Sequence, residues 1–248
     1  MRSYVRGAQI TAQDLRDDSI TMVIDQANYF AFKVDDIEKK FTHINWDSLA
    51  TDRAAYKLKD AFDSDIISTM ASGAQSANVL GSTTAPQVLA TTPAGSQLTP
   101  LQAMARLNRF LDVANVPTDE RFFVADPVFW EKISDENSKL IPVNITGDSE
   151  SALRNGRITE GLIRGFKCYK SNNTVQGGTG PTGVGASNYG TLLAGHMSST
   201  ATASQIAKTE SYRDPDSFAD VVRGLHLYGR KVLRAEALAL VYYQVITG

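Results

Sequence analysis

Two long stretches of this chain carry no charge. Residues 66 to 105 and 171 to 207 contain no Asp, Glu, Lys or Arg, so none of the 25 basic and 27 acidic side chains falls in them. Both are rich in Gly, Ser, Thr and Ala. A monomer kept in solution by its own surface spreads charge over that surface, and long connections without structure are uncommon inside compact domains. Composition alone reads the stretches as loop. The competing reading is surface turned toward other protein, and both stay open here.

The segments around them are patterned. Residues 8 to 18 are polar and read as a turn or one short helix. Ile20, Met22 and Ile24 alternate with Thr21 and Asp25, Val23 spoils the pattern, and Asp25 to Asn28 is a place for a bend. Phe30, Phe32 and Val34 then alternate with Tyr29, Ala31 and Lys33, a period of two that predicts a strand in an extended arm or hairpin. Residues 46 to 71 predict the longest helix, capped by Asn45 and stopped near Gly73. Ala54, Leu58, Ala61, Phe62, Ile66 and Met70 lie on one stripe of it, and the helix would be roughly 39 Å long. Residues 72 to 97 read as loop with room for one short element.

Thr99-Pro-Leu-Gln102 is a helix start in which threonine caps, proline takes the first helical position and glutamine completes the box. Leu101, Met104, Ala105, Asn108 and Leu111 follow on one face, and Pro117 closes the helix. Phe122 to Ala125 is a strand, and Asp126-Pro127 caps a helix carrying Phe129, Trp130 and Ile133. Residues 134 to 160 are polar, with turns at Gly147 and Gly156. Gly165 to Lys170 is a strand with Phe166 and Cys168 on one face, and 177 to 185 a flexible glycine loop. Tyr189 to Ala194, Phe218 to Tyr228 and Leu238 to Ile246 are strands. Gly224 and Gly229 allow bends or bulges.

The tests for chemistry come out negative. A formal net charge of -2 gives no positive field for nucleic acid. One cysteine, Cys168, excludes an intrachain disulfide framework and a Cys-rich zinc site. No apolar run approaches the length of a membrane span, and the start lacks the apolar stretch of a signal peptide. The glycine loop lacks the Gly-Lys-Ser/Thr ending of a phosphate loop and the helix that a dinucleotide fingerprint opens. His43, His196 and His226 are scattered, and His226 sits in a strand pattern. Asp14, Asp17 and Asp18 lack the glycine and glutamate of a calcium loop. Cys168 reads as a buried, inert thiol. No Gly-x-Ser-x-Gly turn is present, and Asp35 and Asp36, being adjacent, point different ways. No catalytic, metal or cofactor-binding residue is predicted. What stands out is an aromatic arm, a long helix, uncharged segments and a β-rich end, the parts of an assembly subunit.

Four segments carry a resemblance. They are Ile10-Thr-Ala-Gln-Asp-Leu15 leading to Ile24-Asp-Gln-Ala-Asn-Tyr-Phe-Ala-Phe-Lys-Val-Asp-Asp-Ile37; Phe122-Phe-Val-Ala-Asp-Pro-Val-Phe-Trp130; Gly165-Phe-Lys-Cys-Tyr-Lys-Ser-Asn172; and Tyr212-Arg213 with Phe218-Ala-Asp-Val-Val-Arg-Gly-Leu-His-Leu-Tyr-Gly229 and Val232-Leu-Arg234. In order and spacing they resemble the major capsid proteins of tailed bacteriophages, with the HK97-like capsid fold. The resemblance implies an α+β fold with an extended E-loop, a peripheral domain built on a long spine helix and β-sheet, and an axial domain. It divides the chain into an E-loop remnant and the strand leading inward (1–37), a peripheral domain with spine helix and connection (38–97), an axial domain (98–204) and return strands of the peripheral domain (205–248). Members of this family usually carry more chain before the Ile10 element. The chain is then either truncated or a divergent short member, and a missing partner strand would leave 19 to 34 an unpaired edge that strand donation between copies could cover.

The implied function is structural: a late virion protein, one subunit of an icosahedral capsid around double-stranded DNA. Its partners would be copies of itself in pentamers and hexamers, with scaffolding, portal and cement proteins and weak non-specific contact with DNA. No membrane partner or cofactor is implied. It would reside in the virion capsid and be assembled in the bacterial host cytoplasm. Phe30, Phe32 and Val34 are expected to anchor the arm. Leu58, Phe62 and Ile66 should pack the spine helix on the sheet, each worth roughly 1.5 to 3 kcal/mol when buried. Some relatives crosslink subunits through a lysine and an asparagine with an acidic helper, and Lys33 sits on the arm without an evident partner. An encapsulin-like nanocompartment shell subunit is one alternative reading. A soluble monomeric α+β domain or an enzyme is another.

Overall fold

A computed structural model describes residues 6–7, 20–41, 46–134, 162–183, 185 and 187–245. In chain order the elements are β1 (Ile24–Asp35), α1 (Asp36–Phe41), α2 (Trp46–Gly73), β2 (Val79–Leu80), β3 (Gln87–Leu89), α3 (Pro100–Val113), β4 (Arg121–Ala125), α4 (Pro127–Ile133), β5 (Leu162–Ile163), β6 (Phe166–Lys170), β7 (Gly190–His196), β8 (Thr200–Arg213), β9 (Ala219–Val232) and β10 (Leu238–Val245). They form two sheets.

The first sheet has three long antiparallel strands in the order β1-β9-β8. Its hydrophobic pattern explains it: the even residues of β1 turn inward and the odd ones face solvent. Two expectations are corrected here. The chain does not bend at Asp25 to Asn28, because β1 runs straight through with only a register shift between Ile24 and Gln26. Nor is β1 unpaired. It is matched to β9 from Ile24↔Gly229 to Asp35↔Ala219, because the β-prone C-terminal run supplies the partner that the resemblance left missing. Among the described residues the outer edges of β1 and β8 meet no further strand.

Helix α2 spans 28 residues, about 42 Å at 1.5 Å per residue. It lies on the face of this sheet that carries His226 and Tyr228. The Phe62 ring meets Tyr228 edge-on at 4.8 Å and His226 at 5.3 Å. Farther along, Asp65 accepts from the Tyr228 hydroxyl (3.0 Å) and pairs with Arg230 at 2.6 Å. Arg230 also donates to Thr69 Oγ1 at 2.8 Å. Leu58, Phe62, Ile66 and Met70 are half-buried as the stripe predicts, but Ala61 is exposed. The docked face turns instead toward Asp65 and Thr69, which answer polar groups on β9.

The second sheet has seven strands in the order β2-β10-β7-β4-β6-β5, with β3 also pairing β10. One face is covered by α3 and α4, whose Met104, Leu107, Leu111, Phe129 and Ile133 pack with Phe123, Phe166, Leu192 and Tyr243. The other face, through Leu193, Leu238 and Leu240, packs on Ile67, Met70 and Ala71 of α2. The C-terminal end of α2 thus touches the second sheet while its middle covers the first. Strand β10 reads as a continuous apolar run because both of its faces are buried. The C-terminal stretch therefore divides: β8 and β9 belong to the first sheet, and β10 crosses to the second, where the sequence reading had kept 205–248 together.

The charge-free stretches are corrected in the same way. Strand β7 is buried from Gly190 to Gly195, and a central strand covered on both faces has no room for charge. The 66 to 105 stretch supplies the buried end of α2, the short strands β2 and β3 and the start of α3. Neither stretch is simply loop. The glycine segment is tied down: Val245 N–H donates to the Pro181 carbonyl (2.8 Å), and Thr179 N–H to Asn188 Oδ1 (2.8 Å).

The box at Thr99 forms in full, with Gln102 N–H on Thr99 Oγ1 and Thr99 N–H on Gln102 Oε1. The buried face of α3 is Ala103, Met104, Leu107 and Leu111, displaced from the Ala105 and Asn108 side that the spacing predicted. The helix ends at Val113, before Asn115 in the left-handed region (φ 54), two residues ahead of Pro117. Asp126 caps α4 by accepting from Phe129 N–H at 3.2 Å. Asn45, His43, Asp14, Asp17, Asp18, Gly147, Gly156 and Ile246 lie outside the described residues.

Candidate assembly surfaces

The predicted arm anchors pack within the subunit. Phe30 stands opposite Gly224, and Phe32 opposite Val222, on the sheet face that α2 covers. The two rings stack at 5.9 Å. A Cβ at Gly224 would come within 2.3 Å of the Phe30 ring, so the glycine makes the seat for that ring. Val34 is buried. Leu58 and Phe62 line a cavity of about 260 Å³ with Gly224 and His226. Ile66 is half-buried on the same helix. The six predicted residues thus belong to the helix and sheet of one packing unit, and their described contacts lie inside the chain.

The opposite face of this sheet is open. Tyr29 is 78% exposed, and Tyr212 and Leu225 are exposed beside it. With Ala31, Lys208, Glu210 and Arg223 they line a groove of about 580 Å³. The Arg223 guanidinium lies 5.0 Å over the Tyr212 ring and pairs with Glu210 at 2.9 Å. Lys208 pairs with the same carboxylate. Hydrogen bonds from Lys208 and Arg223 hold Glu210 below the usual carboxylate range.

One end of the sheet, where β8 turns into β9, is a clasp of charge with aromatic residues at its rim. Lys33 Nζ meets Asp214 Oδ2 at 2.6 Å. That hydrogen bond, helped by Ser217, brings Asp214 down to about 2. Arg213 forks between Asp36 and Asp220, which raises its pKa further. The Asp36 N–H donates to the Phe218 carbonyl at 3.1 Å. Around this clasp Phe218 is 80% exposed, Phe41 82% and Ile37 65%. For Lys33 the described partner is the Asp214 carboxylate and not an amide.

The remaining reactive side chains serve packing. Cys168 is buried, and desolvation pushes its thiol up to about 11. His226 stacks on Tyr228 and meets Ser204 Oγ at 3.1 Å. His196 accepts from Ser198 N–H. Among the described residues no three His, Cys, Asp or Glu side chains are grouped to hold a metal ion, and no helix is long and apolar enough to cross a membrane. Two buried polar centres were missed by sequence reasoning. Arg121 is 2% exposed and donates to the Val116 and Pro117 carbonyls at 2.6 and 2.8 Å. Asp126 accepts from the Tyr243 hydroxyl inside the core. An arginine before an apolar strand was the only sequence signal for the first, and the cap motif the only one for the second.

No protein-family model matches the chain, and neither does any curated protein sequence. Solved structures do. A structure from Mycobacterium phage Che8 is 26% identical, covers 94% of this chain and 76% of its own, and superimposes with a TM-score of 0.70. The capsid structure of cyanophage P-SCSP1u is 16% identical, covers 100% of this chain and 80% of its own, with a TM-score of 0.70. The SrpI encapsulin of Synechococcus elongatus is 11% identical over 90% of this chain and 75% of its own, with a TM-score of 0.57. The fold is α+β and HK97-like, as the four sequence segments implied.

Proposed function

We infer that this chain is the major capsid protein of a tailed bacteriophage, a structural subunit that tiles an icosahedral shell. The observation that carries the reading is the likeness to phage structures along nearly the whole chain, at identities too low for local motifs alone to account for it. Identical copies repeat each contact by symmetry, so individually modest contacts suffice. In this reading α2 and the three-stranded sheet form the peripheral domain, and the seven-stranded sheet with α3 and α4 forms the axial domain that gathers at fivefold and sixfold centres. The shell encloses double-stranded DNA. A formal charge of -2 supports only weak contact with that cargo. Scaffolding, portal and cement proteins are its further partners, the bacterial host cytoplasm its place of assembly and the virion its destination. Its work is mechanical and not enzymatic.

An encapsulin-like shell subunit is the second reading, favoured by the likeness to the SrpI encapsulin, which is weaker in TM-score. Particle contents separate the two. Particles purified from phage-producing cells should contain nuclease-protected double-stranded DNA. Particles that instead hold a defined protein cargo and no DNA would support the second reading and overturn the first.

A further inference from the structure

We propose that the turn between β8 and β9 of one copy docks in the open sheet groove of a neighbouring copy, with Phe218 as its anchor. The proposal rests on the reading of the chain as a shell subunit and names one contact within that shell. Phe218 is 80% exposed, yet its turn is held in place. Asp36 N–H bonds the Phe218 carbonyl (3.1 Å), Asp214 N–H the Ala219 carbonyl (3.0 Å) and Ser217 Oγ the Asp214 carboxylate (2.7 Å). An aromatic ring presented on an ordered turn has little ordering cost left to meet on binding, and buried aromatic anchors dominate interface energetics.

The groove offers what such an anchor needs. Its floor and walls are Tyr29, Ala31, Tyr212 and Leu225, and its volume of about 580 Å³ holds an aromatic side chain with room to spare. Charge matches across the contact. The groove rim carries Lys208 and Arg223 against Glu210 alone. At the turn, Lys33 and Arg213 stand among five carboxylates, Asp35, Asp36, Asp214, Asp216 and Asp220; Lys40, farther along α1, leaves the acidic excess in place. Phe218 does not line the groove of its own chain, and the floor at Leu225 lies seven residues along β9 from it, about 23 Å in an extended strand. Two different patches of the same chain then meet head to tail, the kind of contact that closes into rings when its rotation permits.

Mixed copies test this. Full-length Phe218→Cys and Leu225→Cys proteins are combined under assembly conditions and oxidised with copper–phenanthroline; the native Cys168 is buried. The proposal expects a disulfide between positions 218 and 225 of different copies, identified by mass spectrometry. It expects none when Val113→Cys, at the exposed last residue of α3, replaces Leu225→Cys. Separately, Phe218→Ser should leave the circular dichroism of the subunit unchanged and raise the concentration needed for assembly about tenfold or more. Shells that form normally with neither effect would overturn the proposal and leave the capsid reading standing. A native chain that stays monomeric at every concentration would overturn both.

Discussion

At the scale of single residues, the buried polar groups decide most. Arg121 ties down the loop after α3: its guanidinium donates to the Val116 and Pro117 carbonyls of that loop, bonds Asn108, and pairs with Asp112 at 2.7 Å. Arg121→Met keeps much of the volume and strands those carbonyls, so a loss of about 1 to 3 kcal/mol is expected in urea unfolding; no measurable loss would contradict this role. Asp126 behaves differently. Burial raises its pKa above the ordinary carboxylate value of 3.8, against the lowering effect of the bonds from Tyr243 and Phe129. A raised acid adds stability that is complete below the ordinary value and is lost as pH rises through the raised one. Asp126→Asn, which keeps a capping oxygen, should therefore flatten the fall in unfolding midpoint as pH rises above about 4. Arg121 was not legible in the sequence, and of Asp126 only the cap was, not its burial or its bond from Tyr243. A charged residue beside an apolar strand reads as solvated, and the acceptors of Arg121 depend on a left-handed Asn115 that no local pattern announced.

At the scale of elements, local signals were legible and pairings were not. The capping box at Thr99, the alternation of Phe30, Phe32 and Val34, and the stripe of Leu58, Phe62 and Met70 each follow from a few neighbouring residues. The match of β1 to β9 joins positions nearly two hundred residues apart, and only the bare fact of β-propensity at both ends hinted at it. Phe30 and Phe32 lie on the sheet face that Phe62 of α2 meets, while the open face with Tyr29, Tyr212 and Leu225 went unnoticed because its residues look like the ordinary solvent side of a strand. The glycine at 224 gives a test of the interface. Gly224→Val drives a side chain into the Phe30 ring, which a Cβ would approach to 2.3 Å, and should cost about 1 to 3 kcal/mol. Adding Phe30→Ala should return part of that loss, a coupling that thermal unfolding of the double variant would read. Simple additivity would place the ring elsewhere.

The clasp at the strand turn belongs to the same scale. Asp214 is brought to about 2 by its bond from Lys33. A lowered acid adds its share above the ordinary value near 3.8 and loses it as pH falls toward about 2. Hydrogen exchange at the amides of 214 to 219 should therefore quicken, after correction for intrinsic rates, only in that acid window, and Lys33→Met should abolish the window. An unchanged window in the variant would detach Asp214 from Lys33.

At the scale of the whole molecule, α2 touches both sheets, and one face of the three-stranded sheet remains open beside a rim of exposed aromatic residues. A lone subunit leaves Tyr29, Phe41 and Phe218 in water, and a shell of copies supplies the protein to cover such surface. The most direct measurement is sedimentation velocity of the purified full-length chain over a wide concentration range, with electron microscopy of the fastest fraction. The capsid reading predicts closed particles of at least about 1.6 MDa, sixty copies of a 26.9 kDa chain, showing fivefold clusters, with sixfold clusters as well in any shell larger than sixty copies. A single slow boundary at the mass of one chain, unchanged at the highest concentration, would contradict it.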